Sequence, residues 1–118
     1  MTKKQKFIAE MAEHIIPVTN SVSVSSRGGR VSTTVHRVAS VDVWADQLKD
    51  GSYSIKIKRT FKGFDADTAE AIAKNLKLWL KQKGISYKGV KTYDHQRRNY
   101  LYCSGTGVVL YTQELPWR

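Results

Sequence analysis

Residues 53–84 read YSIKIKRTFKGFDADTAEAIAKNLKLWLKQKG, and they carry the two clearest structural signals of the chain. Apolar and polar residues alternate from Tyr53 to Lys62, which is the period of a strand with one buried face. Alanine, isoleucine, leucine and tryptophan then recur at helical spacing over about residues 66–83. This stretch therefore predicts a β-strand followed by the principal α-helix of the domain.

The predicted helix has signals at both of its ends. Asp65 and Asp67 are both N-cap candidates, and Asp67 would form a variant of the capping box with Glu70. Gly84 follows the last residue of the pattern and predicts a left-handed C-cap, with Ile85 making the apolar contact that accompanies such caps. We therefore expect the helix to begin and end sharply.

The remaining residues predict strands around this helix and one further helix. Residues 2–16 carry a short apolar stripe at helical spacing and predict a peripheral N-terminal helix. Residues 18–62 predict β-hairpins, with a turn at 26–30 followed by one long strand from 31 to 43. Residues 86–113 return to strand patterns. The helices and strands thus follow one another without a linker that would separate two domains.

This order predicts a single α+β domain over residues 1–118, with an antiparallel β-sheet of five to six strands packed on one principal α-helix. Residues 53–80 resemble in outline the sheet-and-helix DNA-binding modules of phage integrase arm domains and plant transcription factors. In those modules too, a strand ends at Gly-Phe before a capped helix that contains alanine. The resemblance implies a shape, and a shape does not transfer a function.

Composition restricts the class of protein. The single cysteine, Cys103, excludes an internal disulfide framework and indicates a reducing compartment. No apolar run approaches the roughly 20 residues that cross a bilayer, so we expect a soluble, cytoplasmic protein without a membrane partner. The three histidines fall in three different predicted elements, and the chain has no paired metal-ligand spacing. We therefore expect no enzyme, no catalytic residue, no metal and no cofactor.

One enzymatic alternative is weaker but specific. Asp94 and His95 could supply a general base beside the phosphate-binding side chains of Arg97 and Arg98, as a metal-independent ribonuclease requires. An isolated histidine in a polar loop is more often simply solvated, so a nuclease is not the preferred interpretation.

Charge is the feature that indicates a partner. The chain has 20 lysines and arginines against 10 acids, which gives a formal net charge of +10. Such a charge concentrates polyanions, and binding to a nucleic-acid backbone releases counterions. We predict a small basic protein that contacts the phosphate backbone of DNA or RNA with little base specificity. The predicted contacts are cations on a strand, in a loop and at a hairpin tip, with two tyrosines for stacking: Lys56, Lys58, Lys62, Arg97, Arg98, Tyr93, Tyr100, Arg27 and Arg30.

A second interpretation accounts for the same charge. A small inhibitor or modulator, of the kind phages direct against host or defence factors, would bind an acidic surface of a larger nucleic-acid-handling protein complex. The sequence leaves open which of the two partners is bound, whether the nucleic acid is single- or double-stranded, and whether the protein forms a homodimer.

The geometry of the basic residues leads to a further expectation. If the apolar face of the strand at 53–62 packs on the principal helix, the strand lysines and the helix lysines Lys74, Lys77 and Lys81 point in opposite directions. Only one group would then be the main binding surface. We favour the strand together with the Arg97 and Arg98 loop.

Overall fold

The computed structural model describes the backbone of residues 2–16, 22–27, 30–35, 39–59, 64–96 and 104–117, and the side chains of residues 2–16, 42–58, 64–94 and 105–117. The elements are α1 (Lys3–Ile15), β1 (Val22–Arg27), β2 (Arg30–Val35), β3 (Ala39–Gln47), β4 (Tyr53–Arg59), α2 (Ala66–Lys83), β5 (Gly89–Gln96) and β6 (Ser104–Thr112).

The strands form one antiparallel sheet in the order β1-β2-β3-β4-β6-β5. Helix α1 contacts β1 and β2, and helix α2 contacts β5 and β6, so each helix covers one half of the sheet. The α+β class, with an antiparallel sheet and two helices, is confirmed.

The core lies between the helices and one face of this sheet. Ile55 and Ile57 of β4 and Val108 and Leu110 of β6 are at most 1% exposed. Helix α2 covers this face with its buried residues Ala69, Ile72, Ala73, Leu76, Trp79 and Leu80. Burial of apolar area is the main favourable term in folding, at roughly 25 cal/mol per Å². The strand alternation read from the sequence therefore does place one face of β4 in the core.

Helix α2 begins at a single carboxylate. The side chain of Asp65 accepts a hydrogen bond from the Thr68 backbone N–H at 2.8 Å and another from the Thr68 hydroxyl at 2.8 Å. These bonds lower the pKa of Asp65, with the backbone bond as the largest cause. The N-cap is thus Asp65, and the alternative start at Asp67 is wrong: its backbone already belongs to the first turn of the helix.

The other end of α2 is the predicted left-handed cap. Gly84 has φ of 70°, a conformation that side chains other than glycine's disfavour. The Ile85 N–H donates to the Leu80 carbonyl at 3.0 Å, and the Ile85 side chain packs against the core. The helix therefore occupies the residues that the sequence predicts.

Helix α1 is part of the core, and its prediction as a peripheral element is wrong. Ile8, Met11, Ala12 and Ile15 are at most 1% exposed. Since α2 covers only the β5 and β6 half of the sheet, the half formed by β1 and β2 needs its own covering layer. That requirement is a property of the whole sheet, and the short apolar stripe alone does not show it.

The long strand predicted from 31 to 43 is divided into two. Val35 and Ala39 are cross-strand partners, so the chain reverses between them and β2 pairs with β3. Cross-strand partners in β2 and β3, such as Thr33 and Val41, both have odd numbers. The odd-numbered positions of the sequence pattern therefore stay in step from one strand to the next. The alternation in the sequence is interrupted only by Arg37, and a single polar residue does not by itself predict a turn.

Candidate nucleic-acid interface

The face of the sheet opposite the helices carries charged and aromatic side chains. The register places Trp44 beside Lys56, Lys56 beside Val109, and Val109 beside Lys91. We call these four residues the cross-strand row. Since neighbouring strands lie about 4.8 Å apart, the row extends over about 14 Å. It brings two lysines and one tryptophan from distant parts of the chain onto one surface.

Lys56 is at the centre of this face. Its side chain is half-buried, and its Nζ lies 5.6 Å from the centroid of the Tyr93 ring. A cation at that distance is attracted by the quadrupole of the ring, by about 0.5–1 kcal/mol at exposed sites. Lys91, at one end of the cross-strand row, is exposed to solvent. The row thus offers one ammonium group beside an aromatic ring and one that is exposed to solvent.

The Tyr93 ring occupies space that the glycine opposite it leaves open. Gly107 is the cross-strand partner of Tyr93, and a Cβ atom added to Gly107 would overlap with the tyrosine ring. The Tyr93 hydroxyl is buried and has no hydrogen-bond partner. Burial also raises the pKa of Tyr93 to about 12. The ring position is therefore set by the sheet itself, through contact with Gly107 and with Lys56.

Lys58 has a different environment from Lys56. It is 7% exposed, and its Nζ lies 5.7 Å from the centroid of the Trp44 ring. Its cross-strand partner is Asp42, which is 4% exposed. Because an isolated buried charge is very unfavourable, a lysine at this depth needs partners such as these. Lys58 is thus a buried residue of this face, whereas Lys56 and Lys91 are more accessible to solvent.

The predicted site residues are distributed as follows. The structure brings Lys56, Lys58 and Tyr93 onto one face of the sheet. Arg27 and Arg30 are cross-strand partners at the end of the β1 and β2 hairpin, and their side chains lie outside the described part. The other predicted contacts lie outside the described residues: Lys62, Arg97, Arg98 and Tyr100.

Sequence reasoning missed three residues of this face. The contacts predicted from the sequence include none of Trp44, Lys91 and Tyr111. Tyr111 is half-buried and is the cross-strand partner of Ser54, which precedes the strand lysines on the same face of β4. For Trp44 a signal existed, because it alternates with the buried Val43 and therefore points to the other face.

A second group of cations lies on the other side of the molecule. Lys74, Lys77 and Lys81 are exposed on α2, whose buried side faces the sheet. The cross-strand row is on the opposite face of that sheet. The strand lysines and the helix lysines therefore do point away from one another.

The described residues show neither a metal site nor a membrane-spanning helix, and this chain has no significant match among known proteins. The described residues contain no group of three or more His, Cys, Asp or Glu that could hold a metal ion. Within the same part of the chain, no helix combines the length and apolarity needed to cross a membrane. Comparison with protein-family models, with curated proteins and with solved structures finds no significant match to this chain.

Proposed function

We propose that this protein binds single-stranded nucleic acid on the sheet face that carries the cross-strand row. Lys56 and Lys91 contact phosphates, while the half-buried rings of Trp44 and Tyr111 stack on bases. The observation that carries the proposal is the cross-strand row itself, which combines lysines and an aromatic ring on the face opposite the helices. Sheet faces with aromatic side chains are well suited to unpaired bases, because every base has a π-face.

Electrostatics favour backbone contact with modest affinity. The same sheet face also carries Asp42 and Asp46, and these carboxylates offset part of its positive charge. For single strands the slope of log affinity against log salt is about −0.7 per phosphate neutralised. Lys56 and Lys91 alone would thus give a slope of about −1.4. Participation of the predicted contacts Lys62, Arg97 and Arg98 would raise the magnitude to about 3.5.

Fluorescence anisotropy with a labelled homopyrimidine strand tests the proposal. We expect the double variant Lys56→Ala/Lys91→Ala to bind at least tenfold more weakly and to flatten the salt slope by about 1.4. Trp44→Ala should weaken binding about 5- to 150-fold with little change in slope, since stacking contributes about 1–3 kcal/mol per base.

The matched control removes the same charge from a different surface. Lys3 and Lys6 are exposed on α1, so Lys3→Ala/Lys6→Ala changes the net charge equally and leaves the sheet face intact. Equal loss of affinity in both double variants would show that binding follows net charge rather than this face, and would refute the proposal. Preference for a duplex over the single strand would refute the stacking role.

The alternative of an acidic protein partner gives a different result in the same assay. An inhibitor of that kind binds free strands and duplexes weakly, and the sheet-face variants would change that weak binding little. A nucleic-acid ligand and a single cysteine together favour an intracellular site of action.

A further inference from the structure

Three lysines of α2 form a cationic surface that the proposed sheet-face site does not use. Lys74, Lys77 and Lys81 recur at i, i+3 and i+7, and all three are exposed. With a rise of 1.5 Å per residue, they extend over about 10 Å along the helix. None of them forms an ion pair among the described residues. We call this group the α2 lysine stripe.

The acids of α2 lie at its start, so only Lys74, four residues after Glu70, has an acid at helical-pair spacing, and Lys77 and Lys81 have none. Asp67 and Glu70 lie near the helix start, where negative charge suits the helix dipole, and the chain from 71 to 83 contains no acid. Lys83 is neutralised, since its Nζ lies 2.7 Å from Glu10 Oε1 of α1. Among the described residues, no ion pair of this kind involves Lys74, Lys77 or Lys81.

The stripe is unfavourable for the isolated fold. Like charges at i, i+3 and i, i+4 destabilise a helix by about 0.2–0.5 kcal/mol per pair. Lys74 and Lys77 are one such pair, and Lys77 and Lys81 are another. Neither pair contributes to the core. Lys81 suits the helix dipole in the last turn, but the dipole does not remove the repulsion within the two pairs, which a bound polyanion would relieve.

We propose that the α2 lysine stripe is a second phosphate-binding surface, and that the domain holds two segments of nucleic acid at once, one on each side. This inference rests on the proposed function for the first segment. Because α2 packs on the sheet face opposite the cross-strand row, the two surfaces point away from each other and cannot serve one short strand.

The thickness of the domain permits simultaneous binding of two strands. The smallest principal extent of the molecule is 28 Å. At physiological ionic strength the Debye length is about 8 Å, so two backbones separated by the whole domain repel one another only weakly. The protein therefore acts as a bridge between two strands.

A two-strand capture assay tests this proposal. One homopyrimidine strand is fixed to beads, protein is bound and washed, and capture of a second, fluorescent homopyrimidine strand is measured. We expect the wild-type protein to capture the second strand. The variant Lys74→Glu/Lys77→Glu/Lys81→Glu should still bind the fixed strand, with affinity reduced no more than about threefold, and should capture at least tenfold less of the second.

A variant with the same change in net charge serves as the control. Lys3, Lys6 and Lys49 are exposed and lie outside both surfaces, so Lys3→Glu/Lys6→Glu/Lys49→Glu should retain capture. Thermal unfolding followed by circular dichroism establishes that both triple variants are folded. Equal loss of capture in the two variants would overturn the proposal, because it would show an effect of total charge.

The remaining outcomes separate the two proposals. Wild-type protein that binds the fixed strand but captures no second strand overturns the bridging role and leaves the sheet-face function intact. If the variant with the substituted α2 lysine stripe still captures the second strand, the bridging role of the stripe is also overturned, because a dimer that uses two sheet faces would then be the bridge. Absence of binding to the fixed strand overturns both.

Discussion

Two neighbouring residues on opposite faces of the sheet are both buried, but by very different chemistry. On β4, Ile57 is 1% exposed beneath the helices, and the next residue, Lys58, is 7% exposed on the opposite face. The first is stabilised by loss of apolar surface, and the second by an aromatic ring and a carboxylate neighbour. Paired charges contribute little net stability, but they hold charged groups in defined positions. The helix-covered face therefore stabilises the fold by apolar burial, whereas the polar face holds charged and aromatic groups in defined positions.

The largest expected effect compares neighbours on β4. Ile57→Ala should lower the free energy of unfolding by about 2–5 kcal/mol, because it leaves a cavity beneath the helices. Lys56→Ala, on the other face, should lower it by less than about 1 kcal/mol, the scale of a cation–π contact. Urea unfolding of both variants measures the difference. Similar losses would contradict the division between a stabilising face and a binding face.

The contact of Gly107 with Tyr93 tests how tightly the polar face is packed. Gly107→Ala should destabilise the protein by about 1–3 kcal/mol, since the added methyl group overlaps with the tyrosine ring. The same substitution in a Tyr93→Ala background should have a much smaller effect, which a double-mutant cycle quantifies. Additive effects would show that the ring does not press on the glycine.

The Tyr93 hydroxyl makes the stability of the folded protein depend on pH in the alkaline range. Its pKa is raised to about 12 by burial, so the unfolded chain ionises first, near pH 10. The folded protein then binds more protons than the unfolded one, and this group's contribution to stability is lost as pH rises from about 10 to about 12. Tyr93→Phe should remove this part of the loss of stability at alkaline pH. At neutral pH it should leave the free energy of unfolding unchanged or slightly higher. Identical stability-against-pH curves for the two proteins would contradict the burial of this hydroxyl.

The smallest expected effect concerns a hydroxyl on the core side. Thr112 is 0% exposed, and its Oγ1 has no hydrogen-bond partner. Thr112→Val removes the unpaired hydroxyl and should change the free energy of unfolding by less than about 1 kcal/mol, in the stabilising direction. Chemical denaturation measures it. A clear destabilisation would mean that this hydroxyl has a partner in solution.

Local signals account for the parts of the fold that could be predicted. Helix α2 is delimited by Asp65 and Gly84, and each cap is complete within a few residues. The alternation in β4 likewise assigns its residues to opposite faces. The division between β2 and β3 could not be predicted, because Val35 and Ala39 have the same parity and only the single polar residue Arg37 interrupts the pattern between them.

The candidate site was less predictable for a topological reason. Lys56 could be selected from the alternation of its own strand. Its grouping with Trp44 and Lys91 depends on the register of four strands and on the placement of β6 between β4 and β5. No periodicity within one segment encodes that order, since it arises from pairings between residues far apart in the chain.

The interior position of β6 also has a consequence for the nascent chain. Its neighbours β4 and β5 are both synthesised earlier, yet they have no direct pairing with each other in the sheet. A ribosome-bound chain that lacks β6 would leave one edge of β4 and both edges of β5 unpaired, and unpaired edges invite association with other chains. Sheets closed by such late, distant pairings form slowly. The sheet can therefore be completed only after β6, the last described strand, has been translated.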